Sequence, residues 1–197
     1  MRLDPASLLS LEAYARERPR IRAGLIAHRR LRSLPLGPNM TLQFEDERTI
    51  RYQIQEMLRI EKIFEPSAIQ SEIDAYSGLI PDGGNWMATL LIEYPDPAER
   101  ERELARLLGV EHRLRAEIDG QPPLPAIADE DVARGSASRT SAVHYLRFEI
   151  PAAAIAALHA GAGLRFVCDH RAYAAANTPE PATRAALLQD FPPNAPC

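Results

Sequence analysis

Between Ile50 and Phe64 apolar side chains recur at helical spacing, and two carboxylates interrupt them. At about 100° per residue, Ile50, Ile54, Met57, Leu58 and Phe64 form one stripe, with Glu61 near its middle. Tyr52, Ile60 and Ile63 form a second apolar arc that contains Glu56. Arg51, Gln55, Arg59 and Lys62 remain for water. The pattern predicts a helix over 47–64, stopped by Pro66 and apolar around most of its circumference. A carboxylate facing a core must be paired, protonated or bound to a cation. The spacing therefore predicts a polar centre inside the fold, around Glu56 and Glu61.

Helical spacing also places Leu11, Tyr14, Ile21, Leu25 and His28 on one face of the N-terminal segment. Residues 7–15 and 20–31 suit helices, and Pro19 either opens the second or kinks a single longer one. Pro35-Leu-Gly-Pro38 ends this unit, 40–45 alternates as a short strand, and Ser67 opens a helix to about Tyr76. From Trp86 onward strict alternation dominates. Segment 86–94 is apolar on both faces and reads as a central strand. A helix follows from Asp96 to about Leu108, capped by Gly109. Segment 112–118 alternates clearly, Asp119-Gly120 signals a hairpin, and 124–128 returns at an edge because of Pro122, Pro123 and Pro125. Segments 142–150 and 164–169 are further strands, separated by an alanine-rich helix over 151–159. These strands are expected in one mostly antiparallel sheet, with helix 47–64 on one face. The fold class is α+β: a mainly antiparallel sheet with N-terminal and interleaved helices. Residues 1–176 are expected to form a single domain with a helical N-terminal segment, 1–34. Residues 177–197 form a proline-rich tail, expected to be mobile apart from a possible helix over 182–189.

The 197 residues suffice for one sizeable core. No run approaches the roughly 20 apolar residues of a membrane span. The N-terminus lacks the features of a secretory signal, and two cysteines make no disulfide framework, so a cytoplasmic location is expected. A net charge of −4 opposes nucleic acid and anionic membrane, so neither is expected as a partner. The charge is uneven, however. Arg16, Arg18, Arg20, Arg22, Arg29, Arg30 and Arg32 crowd the first segment with only Glu17 opposing. That cluster reads either as a docking patch for an acidic partner or phosphate, or as a solvated helix face.

Phosphate-binding glycine loops, H-E-x-x-H, C-x-x-C, G-x-S-x-G and E-x-x-H are all absent from the sequence. His144 shares the apolar face of its strand with Ala142, Leu146, Phe148 and Ile150. It is a candidate metal ligand or general base opposite Glu56 or Glu61, or else a hydrogen-bonded core histidine. Arg51 and Arg147 are candidate counter-ions of the polar centre. Glu61, His144 and His170 are the candidate metal ligands, with His170 following Asp169 at a strand end; a surface turn is the alternative there. Asp129-Glu-Asp131, with Arg134 and Arg139 behind, suits either a hard cation or a helix N-terminus. Cys168 reads as an inert core thiol and Cys197 as incidental. The turn Pro81-Asp-Gly-Gly-Asn-Trp86 is at most a weak anion-binding signal.

Five stretches together resemble an uncharacterised bacterial family catalogued as a domain of unknown function. They are Leu36-Gly-Pro38, Arg51-Tyr-Gln-Ile-Gln-Glu-Met-Leu-Arg-Ile-Glu61, Leu79-Ile-Pro-Asp-Gly83, Ala126-Ile-Ala-Asp-Glu-Asp131 and Thr140-Ser-Ala-Val-His-Tyr-Leu-Arg-Phe-Glu149. The resemblance extends to about Tyr173 and transfers no catalytic residue. Genes of such proteins often neighbour rubrerythrin-like and iron–sulfur oxidoreductase genes, which implies a role near peroxide or iron redox metabolism. The resemblance thus implies an accessory or interaction subunit of a cytoplasmic redox system, partnered by a second copy or by a redox protein. The alternative is a metal-dependent enzyme with a Glu/His centre, and a third reading makes that centre a structural salt-bridge network. Whether the chain is an enzyme, and which cofactor it uses, stay open at this stage.

Overall fold

Ser10 opens the first long helix by accepting the Ala13 N–H at 3.2 Å. The computed structural model describes residues 3–128 and 138–192. Helix α1 (Leu11–Arg30) is a single helix with Pro19 inside it, on an exposed face. It leads into the hairpin β1 (Ser33–Pro35) and β2 (Met40–Phe44). The hairpin turn needs glycine: Gly37 has φ +76°, and a Cβ there would lie 2.5 Å from the Tyr173 hydroxyl. That hydroxyl donates to Leu36 O at 2.7 Å and accepts the Asn39 N–H at 3.0 Å, tying the turn to the far end of the chain.

Helices α2 (Glu47–Glu61) and α3 (Pro66–Ser77) follow, then β3 (Asn85–Ile92), α4 (Pro97–Arg106) and β4 (Leu114–Ile118). Next come the short strands β5 (Leu124–Pro125) and β6 (Ile127–Ala128), then β7 (Val143–Glu149), α5 (Ala152–His159), β8 (Leu164–His170), β9 (Tyr173–Asn177) and α6 (Pro181–Leu188). The fold is α+β, and every strand pair is antiparallel.

The expectation of one sheet is corrected. Strands order as β1-β2-β3-β7-β6 in one sheet and β5-β4-β8-β9 in another. The segment expected to return as one edge strand is divided between them. β5 pairs with β4, Ala126 N–H donates to Leu114 O at 2.9 Å, and β6 then pairs with β7. Alternation specifies a buried face but not the partner strand, and Pro122, Pro123 and Pro125 limit how far one ladder can run.

The two sheets face each other across the main core. Phe166 of β8 sits between them, with ring centroids 5.1 Å from Phe44, 5.7 Å from Trp86 and 5.5 Å from Phe148. The outward face of the five-stranded sheet is covered by helices, where Leu3, Ile50, Ile54, Leu58 and Ile73 form a second, smaller core.

Residues 178–192 pack against this body. Trp86 Nε1–H donates to Leu187 O at 3.0 Å, and buried Phe191 stacks 5.0 Å from the Trp86 ring. The same segment closes over Arg32, which is 1 % exposed. Arg32 donates to Phe44 O at 3.2 Å, Glu45 O at 2.9 Å, Ala186 O at 3.0 Å and Asp190 Oδ2 at 2.5 Å. Asp46 Oδ2 stands 3.5 Å from its Nε and 2.5 Å from His28 Nε2, while Asp46 Oδ1 caps α2 through the Thr49 N–H. Burial pushes the Asp190 carboxyl up to about 6, against the pull of Arg32.

Removing one member of such a pair leaves an uncompensated buried charge, at a typical cost of about 3–5 kcal/mol. Arg32→Met is expected to lose that much stability in chemical denaturation, and adding Asp190→Asn should restore part of it. The pH dependence has a defined sign. The folded pKa of Asp190 lies above its ordinary 3.8, so the folded chain holds the extra proton between 3.8 and about 6. This group's contribution is full below 3.8 and is lost as pH rises through about 6. Denaturation of wild type and Asp190→Asn at pH 4, 5, 6 and 7 should show that slope in the wild type alone.

Candidate functional site

The Glu56 carboxylate joins α1 to α2. Glu56 is 13 % exposed at its side chain. Arg18 of α1 grips it twice, Nε to Oε1 at 2.7 Å and Nη2 to Oε2 at 2.9 Å, the geometry that favours a guanidinium over an ammonium. Tyr14, fully buried, donates its hydroxyl to Oε1 at 2.6 Å, and Arg59 adds a contact at 3.1 Å. The Arg18 bonds, followed by those from Arg59 and Tyr14, hold the Glu56 carboxyl down at about 2. Burial, and then the bond to Glu56, push the Tyr14 phenol upward, so it stays protonated. On the adjacent residue of α2, the Gln55 amide completes the junction. Its Oε1 accepts the Leu9 N–H at 2.8 Å and its Nε2 donates to Leu9 O at 3.2 Å, pairing with the backbone as a strand would.

The other expected members of the polar centre lie elsewhere. Glu61 is exposed, which corrects the expectation of burial. The helix ends at Glu61 with Lys62 left-handed at φ 56°, so the apolar stripe runs out before Glu61 reaches a packed neighbour. Phe64 is 69 % and Ile60 60 % exposed for the same reason. Gln55, expected in water, is buried. Arg51 pairs with Glu47 at 2.6 Å, and Arg147 pairs with Glu149 at 2.5 Å on an exposed face of β7; neither touches Glu56.

His144 is buried on the inner face of β7, across the sheet from α2. Its Nε2 lies 2.9 Å from Thr140 Oγ1 and 3.0 Å from Ser141 O, and Thr140 Oγ1 donates to Glu111 Oε2 at 3.1 Å. His170 is buried rather than in a surface turn. Its Nδ1 accepts the Ala172 N–H at 3.2 Å, so its Nε2 carries the proton toward Leu108 O at 3.3 Å, and both ring nitrogens are engaged. Among the described residues no three His, Cys, Asp or Glu side chains group closely enough to hold a metal ion. Buried Cys168, pushed up by burial, contacts Tyr173 O. Asp129-Glu-Asp131, Arg134 and Cys197 lie outside the described residues. No described helix is long and apolar enough to cross a membrane.

The Arg-rich segment does not form one patch. Arg32 is buried and Arg18 is bound to Glu56, while Arg16, Arg20, Arg22 and Arg30 are exposed. Beside the Glu56 junction a cleft of about 380 Å³ opens between α1 and α2. Leu9, Ile21, Leu25 and Tyr14 give it an apolar floor, and Arg20, Arg48 and Arg51 ring it with Tyr52. Among the described residues, no Asp or Glu lines it. Arg20 pairs with Glu17 and Arg51 with Glu47, but Arg48 forms no ion pair among the described residues. The Arg48 head lies across α1 at Gly24, where a Cβ would meet its Nη2 at 2.8 Å. Neither Arg48 nor Gly24 carries a sequence signal, since the cleft exists only once α1 and α2 are paired.

The family model described as "Protein of unknown function (DUF3501)" matches residues 2–191. A crystal structure of a novel protein of unknown function from Burkholderia pseudomallei superposes with a TM-score of 0.91 at 50 % identity, covering 98 % of this chain and all of that one. No curated protein matches. The chain belongs to the DUF3501 family.

Glu56→Ala is expected to lower stability by about 2 kcal/mol, since it strands the buried Tyr14 hydroxyl and frees Arg18. The Glu56 pKa is depressed, so its contribution is present above 4.5 and lost as pH falls toward about 2. Acid titration of the melting temperature should show this loss in the wild type and not in Glu56→Gln. An identical acid limb in both would remove Glu56 from the account.

Proposed function

We propose that this member of the DUF3501 family is an accessory protein whose α1–α2 cleft receives an acidic, partly apolar segment of a partner protein. The observation that carries the reading is the cleft lining: three guanidinium groups, no carboxylate, and Arg48 without an ion pair beside an apolar floor. An apolar floor rimmed by arginines, of which Arg48 has no counter-ion among the described residues, favours a segment that presents an apolar side chain next to a carboxylate. The volume of about 380 Å³ accommodates one or two side chains and lies within the usual range of ligand sites.

The class of partner comes from the family resemblance, which associates these genes with peroxide and iron redox proteins. An acidic segment of a redox protein is therefore the first partner to test. The metal-dependent alternative has less support, because Glu61 is exposed at the end of α2 while His144 and His170 are buried on different strands, each engaged with its own partners.

The test uses a fluorescein-labelled peptide in which phenylalanine is flanked by glutamates, with its glutamine counterpart as control. Anisotropy titration should show binding that weakens with salt, as exposed charge pairs are screened beyond about 8–10 Å at physiological ionic strength. Arg48→Glu and Arg51→Glu are each expected to weaken it about tenfold or more, whereas Arg30→Glu, outside the cleft, should not. Gly24→Ala displaces the Arg48 head and should weaken binding, even though alanine is the better helix former by up to about 1 kcal/mol. Equal affinity for the glutamine peptide, or indifference to both cleft reversals, would rule the reading out.

A further inference from the structure

A second, smaller cavity of about 170 Å³ lies on the other side of α2, between the helical layer and the outward face of the five-stranded sheet. Its wall carries charges of both signs. Glu45, at the end of β2, is 7 % exposed and points one oxygen at Thr89, whose hydroxyl donates to Oε1 at 2.7 Å. Arg29, from the last turn of α1, brings a guanidinium whose Nε is sealed from solvent and has no acceptor among the described residues. Among the described residues, neither Arg29 nor Glu45 is in an ion pair. Gln43, Gln53, Tyr76 and Tyr145 add polar atoms, and Ile50, Leu79 and Leu91 supply the aliphatic part of the wall.

Buried polar groups are ordinarily paired, and a buried charge without a counter-ion is expensive. Here two opposite charges face one cavity without meeting each other. The ligand complementary to that wall carries both charges itself: a carboxylate for the Arg29 guanidinium and an ammonium for Glu45. Size narrows the class. At about 30 Å³ per water molecule of liquid, the space corresponds to roughly six small heavy groups, the scale of glycine, alanine or serine. We infer that this cavity is a binding site for a small zwitterionic α-amino acid, held between Arg29 and Glu45. The site is separate from the α1–α2 cleft and does not depend on the function proposed there, since the two cavities share no lining residue.

The test is isothermal titration calorimetry of the full chain with glycine, L-alanine and L-serine, each to about 10 mM, a range that detects a Kd of about 1 mM or tighter. Acetate and methylammonium, each carrying half of the zwitterion, serve as controls, and L-phenylalanine tests the size limit. At least one small zwitterion should bind saturably, while the half-ligands and phenylalanine should not. Glu45→Gln and Arg29→Met should each weaken binding about tenfold or more. If either variant fails to fold, Leu79→Phe keeps both charges and fills the space, and it should also abolish binding. Absence of saturable binding by any small zwitterion would overturn the inference. So would equal binding of a half-ligand, or affinity that survives in the folded variants.

Discussion

A single buried guanidinium, that of Arg32, holds together parts of the chain more than 150 residues apart in sequence. Through it the end of β2, the cap of α2 and the C-terminal helix share one set of hydrogen bonds. Carbonyl acceptors satisfy most of its donors, and two carboxylates of different burial share its charge. Such an arrangement is tolerated only when every donor is engaged, because a partly satisfied buried cation is worse than an apolar substitute. Its geometric effect extends to both cavities. Arg32 fixes the direction in which the chain leaves α1 and enters the sheet, and it seats Asp46, which starts α2. With the C-terminus of α1 and the N-terminus of α2 set in this way, the two helices can pair only along the line where Glu56 receives Tyr14 and Arg18.

That pairing also shapes the α1–α2 cleft. Glu56 draws Arg18 and Arg59 to one end of the interface, and Gln55 binds the N-terminal strap at Leu9. The remaining arginines, Arg20, Arg48 and Arg51, are left around an apolar floor with no carboxylate in the lining. The salt bridge and the cleft thus share the α1–α2 junction: Glu56 holds Arg18 and Arg59, Glu17 and Glu47 pair with Arg20 and Arg51 at the cleft rim, and Arg48 has no counter-ion among the described residues. Gly24 permits the close crossing that places Arg48 there.

Much of this is visible in the sequence, and the failures have physical causes. The α+β order and most strands follow from alternation, but two facing sheets cannot be told from one by a pattern that reports burial alone. The apolar surroundings of Glu56 are readable from its helix, whereas its partners come from α1, about 40 residues away. Glu61 has the same periodic signature and a different fate, because Lys62 ends the helix just past the packed region. Arg32 carries a usable signal: with Leu34 and Leu36 it falls on one face at period two, and both leucines are buried. Its place in a run of arginines hides that alternation. His144 and His170 face inward as core strand positions do, yet partners such as Thr140, Ser141 O, Glu111 and Leu108 O are set by tertiary packing that no spacing rule specifies. The prolines after Asn177 suggest mobility outside a helix over 182–189, yet among the described residues the Phe191 ring packs on Trp86 and the Trp86 N–H donates to Leu187 O, which holds residues 181–191 against the core.

Hydrogen–deuterium exchange of the full chain, with and without the acidic phenylalanine peptide, locates its binding surface without altering any residue. If the α1–α2 cleft is the recognition surface, added protection falls on residues 20–25 and 48–55, where the lining side chains originate, and the four-stranded sheet is unchanged. Protection confined to that sheet, or none at saturating peptide, would contradict the account.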